Sequence, residues 1–189
     1  MTPIEESQWR VSLEGQRQQK DVFFAHHPQS PIPPWERMDF EGLSYYPPDP
    51  TSRFELDLHE HEEKERMRME ITGGGEQEYL RWGEFRFQIG GEEQTLQAYK
   101  RDPEEERLFV PFRDATSGEE TYGAGRYLDL DRSHYLGGGR WVLDFNQAYN
   151  PWCAYSDAYI CPFTPPENWL NAPIYAGEKN YHKTRPGHE

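Results

Sequence analysis

The sequence predicts a mainly β protein: an antiparallel meander forming a small barrel or a two-layer sandwich, with an N-terminal helix and a long proline-rich C-terminal loop. The first observation is a period of two, in which Phe54, Leu56 and Leu58 alternate with Glu55, Asp57 and His59, and Met67, Met69 and Ile71 with Arg66, Arg68 and Glu70. The second is the series of glycine-rich turns that separate such runs, GGEE after Ile89 and LGGGR after Tyr135. The third is a change of pattern at both ends, helical before residue 26 and proline-punctuated after residue 146.

In chain order, residues 1–25 read as a helix capped by Thr2, with acidic residues early, Lys20 late, and Ile4, Trp9, Val11, Leu13, Val22 and Phe23 as its apolar set. Residues 26–53 hold too many prolines for a helix, yet Trp35, Phe40, Leu43, Tyr45 and Tyr46 are too apolar for a free linker, so an extended wrap is expected. The β core follows over 54–146. The alternations at 54–58 and 66–71 are expected to pair as a hairpin with one wet face. Phe85, Phe87 and Ile89 pass through the GGEE turn to Leu96 and Ala98, and further strands are expected at 107–114, 121–130 and 140–146. Residues 147–189 form the C-terminal loop and tail.

A length of 189 residues is that of one domain. Hydrophobic content is only 34%, but 15% of the residues are aromatic. Large rings build a core from few residues, so disorder is not expected despite a mean hydropathy of −1.06. A formal charge of −14 repels phosphate backbones and anionic lipid, which argues against nucleic acid or a membrane surface as partner. With no bilayer-length apolar run and no signal-type N-terminus, a cytoplasmic location is expected. There Cys153 and Cys161 are expected to be reduced thiols.

The strand pair within FRDATSGEETYGAGRYLDL carries the most chemistry. Placing Asp114 opposite Tyr122 sets Phe112 against Ala124, Val110 against Arg126 and Leu108 against Leu128, and keeps Leu128 and Leu130 out of water. Arg126 then points inward. A guanidinium on an apolar face keeps its charge and needs a carboxylate or a bound anion, with Asp114 and Asp144 the available carboxylates. Arg126 is therefore either a structural ion pair or the anchor of an anion or carbonyl at a pocket floor, with Tyr122 able to add its hydroxyl. Gly123 and Gly125 leave the other face bare for close approach.

FRDATSGEETYGAGRYL, LDFNQAYNPWCAYSDAYICPFTPPEN and IYAGEK, with HPQSPIPPWERMDFEGLSYYPPDPTSRF upstream, resemble the bacterial and archaeal family known as domain of unknown function 1684. The resemblance covers nearly the whole chain after the helix. It implies that Arg113, Asp114, Thr116, Tyr122, Gly125, Arg126, Asn146, Tyr149, Asn150, Cys153, Tyr155, Cys161, Asn168 and Glu178 occupy signature positions. It implies no catalytic assignment, and the cofactor stays unknown.

Asn146 shares the inward parity of Asp144, and the chain turns at Asn150-Pro151 before Cys153 and Tyr155, so this segment is expected to fold over the end of the sheet that carries Arg126. The candidate ligand-binding set is thus Asp114, Tyr122, Arg126, Asp144, Asn146, Tyr149, Asn150, Cys153 and Tyr155. Metal ligation is not expected: the spacing of the two cysteines is wider than a zinc knuckle, a site would need His182 or another distant histidine, and His59 and His61 sit among solvated glutamates. A disulfide or a nucleophilic cysteine ranks below packed thiols. The GGG runs at 73–75 and 137–139 lack phosphate-loop context and read as turns. Three function classes stay open. The favoured one is a module binding a small anionic or carbonyl-bearing molecule; the others are a hydrolase or isomerase using Asp114 or Asp144 with Arg126, and a structural or interaction protein. Oligomeric state is not encoded in any pattern.

Overall fold

The residues after Met1 supply a complete helix start. The Thr2 hydroxyl accepts the Glu5 N–H at 3.2 Å while the Glu5 carboxylate accepts the Thr2 N–H at 2.7 Å, with proline between them at the first helical position. In this computed structural model, which describes residues 1–181, helix α1 spans Pro3–His26. Its apolar residues do not all find cover: Leu13 and Phe24 are buried, but Ile4, Val11 and Val22 are 73%, 68% and 62% exposed. Polar anchors hold it instead. Trp9 Nε1 donates to Asp144 at 2.7 Å, Arg17 Nη1 to the Tyr46 carbonyl at 2.9 Å, and the Asp21 carboxylate accepts the Leu43 N–H at 3.0 Å.

Eight strands follow among the described residues: β1 (Arg53–Asp57), β2 (His59–Glu70), β3 (Glu76–Ile89), β4 (Glu92–Lys100), β5 (Leu108–Phe112), β6 (Arg126–Leu130), β7 (Tyr135–Gly137) and β8 (Arg140–Asp144). They make two antiparallel sheets, five strands in the order β2-β3-β4-β5-β6 and three in the order β1-β8-β7. The sheets do not close into a barrel, so that expectation is corrected to two open sheets. Phe85, Leu96, Leu108, Val110, Phe112 and Leu128 from the larger sheet join Leu143 of the smaller one and Phe145 in the main core, with Phe54 and Leu56 packed against it. Phe145 is central to it, its ring meeting Phe112 at 5.2 Å, Phe87 at 5.5 Å and Phe54 at 6.0 Å.

The expected hairpin between 54–58 and 66–71 does not form. β1 pairs with β8, Phe54 opposite Leu143, and β2 pairs with β3, Met67 opposite Tyr79. Only Leu58 separates β1 from β2, too little chain for a reversal, so the strand bends from one sheet into the other. The β5–β6 register also differs, by two residues: Phe112 lies opposite Arg126, Val110 opposite Leu128 and Leu108 opposite Leu130. A slip of two preserves every inward residue, which is why the parity argument for Arg126 survives it. The strand expected from 121 starts only at Arg126, because Gly125 ends a turn with φ +102°. A Cβ at Gly125 would lie 2.5 Å from the Phe112 carbonyl oxygen, so side-chain space and backbone angle both require glycine. The other two late strands are shorter than expected, 108–112 and 140–144.

From Phe145 to Tyr181 the backbone makes three-residue 3-10 turns at Phe145–Gln147, Trp152–Ala154 and Pro166–Asn168. Isolated bridges tie this segment to the rest: Tyr127 to Tyr149, Ile71 to Pro162, Arg113 to Trp169 and Tyr45 to Glu178. Asn168 completes the larger sheet. β4 and β5 pair only at Tyr99 and Phe109, and where they separate, the Asn168 amide accepts the Gln97 N–H at 2.8 Å and donates to the Gln97 and Pro111 carbonyls at 2.9 and 2.7 Å. No helix among the described residues is long and apolar enough to cross a membrane.

Candidate functional site

Arg126 and Asp114 form the buried pair expected from the sequence, both side chains fully inaccessible and 3.0 Å apart. Asp144 is not part of it. Arg126 Nη1 donates to the Ala176 and Glu178 carbonyls, and Nη2 donates to the Ile174 carbonyl as well as to Asp114. Asp114 is equally occupied, accepting the Ile174 N–H at 2.8 Å, the Thr116 hydroxyl at 2.7 Å and the Thr116 N–H at 3.1 Å. Together they clamp residues 174–178 against β5 and β6. Gly177 allows that path: at φ +79°, a Cβ there would sit 2.7 Å from the Phe145 and Ala148 carbonyls. Burial lowers the Arg126 pKa against the pull of Asp114, which shows how much the charge depends on its partners.

Asp144 and Asn146 make a second buried cluster, on the helix side. Asp144 accepts from the Asn146 N–H and Nδ2 at 3.0 and 2.8 Å and from Trp9, while Asn146 bonds both backbone groups of Asp49. This cluster joins α1, the wrap and β8. Glu178 organises a third: buried to 1%, it accepts the Asn150 N–H at 2.7 Å and the Tyr155 hydroxyl at 2.8 Å and pairs with Lys20. The Tyr149 hydroxyl donates to Asp129. Of the nine candidate residues, then, Asp114 and Arg126 meet one another, Asp144 meets Asn146, and Asn150 meets Tyr155 through Glu178.

Two openings near these clusters differ in kind. The first is a cleft of about 120 Å³ under α1, lined by Arg17, Lys20, Tyr45, Asn146, Tyr149 and Glu178 among others. Arg17 stacks over Tyr45 with its Cζ 4.4 Å from the ring centroid, yet Arg17 Nε and the Tyr45 hydroxyl are buried without a hydrogen-bond partner among the described residues. Burial, the largest cause, raises the Tyr45 pKa and keeps the phenol neutral. A buried hydroxyl with no partner has lost its water for no return. Tyr45→Phe is therefore expected to leave stability unchanged or raise it by up to about 1 kcal/mol in thermal melts; a clear loss would mean that the hydroxyl is satisfied.

The second opening is a groove of about 640 Å³ on the far side of the larger sheet. Met67 to Glu70 of the edge strand β2 form one wall, Phe163 to Pro166 and Trp169 the other, and Arg113 and Ala124 the floor. Arg113 Cζ lies 4.5 Å from the Trp169 ring centroid, and Arg113 makes no ion pair among the described residues. The Trp169 indole is anchored by its Nε1 donating to the Thr164 carbonyl at 2.9 Å, although the residue is 51% exposed. None of the nine candidates lines this groove. Arg113 was within reach of the sequence, since it alternates with inward Phe112 and Asp114 and must face the other way. Trp169 lies outside any periodic run and had no such signal.

Cys153 and Cys161 are free thiols brought side by side, with the Cys153 N–H 3.4 Å from Cys161 Sγ and the Tyr122 hydroxyl 3.7 Å from Cys153 Sγ. Trp152 and Tyr159 pack edge to face at 5.1 Å around them. Of the two histidines on β2, His61 bonds the Gln97 side chain at 2.7 Å and His59 is exposed. His182 lies outside the described residues.

Comparison with known proteins bears on this geometry. The family model described as protein of unknown function (DUF1684) matches residues 38–179. That span takes in the wrap from Met38 onward, both sheets, every candidate residue and both walls of the groove. A solution NMR structure of an uncharacterized protein from Haloarcula marismortui is similar at 43% sequence identity, with a TM-score of 0.71 over 93% of this chain and 96% of that one. No curated protein matches.

Proposed function

Because the chain belongs to the DUF1684 family, whose description carries no reaction, we propose from geometry that it binds a small anionic or carbonyl-bearing molecule, and that the groove over Arg113 and Trp169 holds it. The observation that carries this reading is the Arg113 guanidinium: stacked on an exposed indole, unpaired among the described residues, and at the floor of a cavity. A planar guanidinium offers two parallel N–H donors to a carboxylate or phosphate. The size suits a metabolite, since ligand pockets run to roughly 300–1,000 Å³ with mostly apolar walls and few polar groups. Trp169, Phe163 and the Met67 thioether would cover the flat apolar part of a ligand whose acid group faces Arg113.

Titration calorimetry with benzoate, a flat monocarboxylate, tests the reading. Arg113→Met is expected to weaken binding about 10- to 100-fold, the range of one lost charge-assisted contact, with the melting temperature little changed because Arg113 is half-buried and unpaired. Binding that is equally strong in Arg113→Met and Trp169→Ala would move the site elsewhere. A second, structural role is favoured for Asp114, Arg126, Asp144, Asn146, Asn150 and Tyr155, since most of their polar atoms are engaged by backbone, by one another or by Glu178, with Arg126 Nε and Asn150 Oδ1 left without a partner among the described residues.

A further inference from the structure

Cys153 and Cys161 belong to neither opening, yet they come from opposite ends of one tightly held segment. Cys153 sits in the 3-10 turn Trp152–Ala154. Cys161 is fixed to the end of β2: its N–H donates to the Thr72 hydroxyl at 2.9 Å and its carbonyl accepts the Thr72 N–H at 3.0 Å. Two residues on, the Phe163 N–H bonds the Glu70 carbonyl at 2.8 Å, so the chain passes directly from Cys161 into the groove wall. The sulfur of Cys161, a buried residue, receives the Cys153 backbone N–H at 3.4 Å, while Cys153 is half-buried beneath the Tyr122 hydroxyl. Two thiols side by side, Cys153 partly open to solvent and Cys161 buried with a hydrogen-bond donor aimed at its sulfur, exceed what packing requires.

We infer that Cys153 and Cys161 are a reversible oxidation site, closed to an intramolecular disulfide by hydrogen peroxide and reopened by a small thiol. Cys161 is the attacking sulfur. The Cys153 thiol donating to it, together with the Cys153 and Trp152 N–H groups, holds its pKa below the ordinary thiol value, whereas its own contact with Cys161 and burial push Cys153 up. The Cys161 thiolate attacks one peroxide oxygen, the O–O bond breaks, and hydroxide leaves and takes a proton, giving a sulfenic acid and water. The Cys153 sulfur then attacks the sulfenic sulfur, the S–O bond breaks, and the hydroxyl departs as water with the Cys153 proton. Both sulfurs together lose two electrons and the peroxide is reduced to two waters. Thiol–disulfide exchange with two equivalents of a small thiol reverses the step.

The test uses the full chain, reduced and then exposed to equimolar hydrogen peroxide. Expected is loss of both titratable thiols with a monomer mass lower by two hydrogens, restored by dithiothreitol. In Cys153→Ala the oxidation should stop at a sulfenic acid that dimedone traps on Cys161. In Cys161→Ala the remaining thiol should react about tenfold more slowly at pH 7, following its smaller thiolate fraction. Alkylation of the wild-type chain by iodoacetamide should rise with a midpoint below that of an ordinary thiol, and circular dichroism checks that each variant is folded. Both thiols surviving peroxide in the folded wild type, or disulfides forming only between chains, would overturn the proposal. A midpoint at the ordinary thiol value would do the same for Cys161 as the attacking group.

Discussion

Arg126→Met is expected to lower the stability of the fold by about 3–5 kcal/mol, the cost of breaking a buried ion pair, which for a chain of this length means a fall in melting temperature of roughly 10 °C. The cost arises from what stays behind. Asp114 would remain buried with its charge, and the carbonyls of Ile174, Ala176 and Glu178 would lose the donor they share. Arg126→Lys should recover only part of the loss, because an ammonium cannot span both the carboxylate and three carbonyls. Benzoate affinity, measured well below the melting point, is expected to stay at the wild-type value. If affinity collapsed while the melting temperature held, Arg126 would be the ligand anchor and the groove reading would fail.

Asn168→Ala is expected to cost about 3 kcal/mol, since it strips the Gln97 N–H and the Gln97 and Pro111 carbonyls of their buried partner. Local hydrogen exchange separates this from a general loss of packing: amides of β4 and β5 near Gln97 should lose protection before those of β3. Asn168→Asp should be at least as damaging at neutral pH, because a carboxylate still accepts the Gln97 N–H but faces two carbonyls with no proton to give. Equal protection across β3, β4 and β5 in the alanine variant would mean that the amide is not the missing rung.

Sequence reading located these residues unevenly. The alternation around Phe85, Phe87, Leu96 and Ala98 is local and strong, so β3, β4 and the turn between them were visible from it. Arg126 reads as inward even in a register off by two, because burial depends on parity and not on the partner's identity. Strand partnership was less accessible: Phe54 opposite Leu143 joins residues far apart in the chain, and nothing in either segment names the other. Arg126 drew its partners mainly from backbone carbonyls, which every residue carries, so no side-chain type announced them. The groove was hidden for a related reason, its lining coming from 67–70, 113, 124, 163–166 and 169.

The clamp on residues 174–178 also orders events in time. A chain emerging from the ribosome places Arg126 and Asp114 in the β5–β6 region long before Ile174, Ala176 and Glu178 exist to receive them. Until then the guanidinium has no acceptors but Asp114 and water, and the interior beneath it cannot be sealed. The core beneath Arg126 can therefore close only after residues 174–178 have been made. A chain cut short before Ile174 is expected to carry a guanidinium short of its acceptors where its core should be.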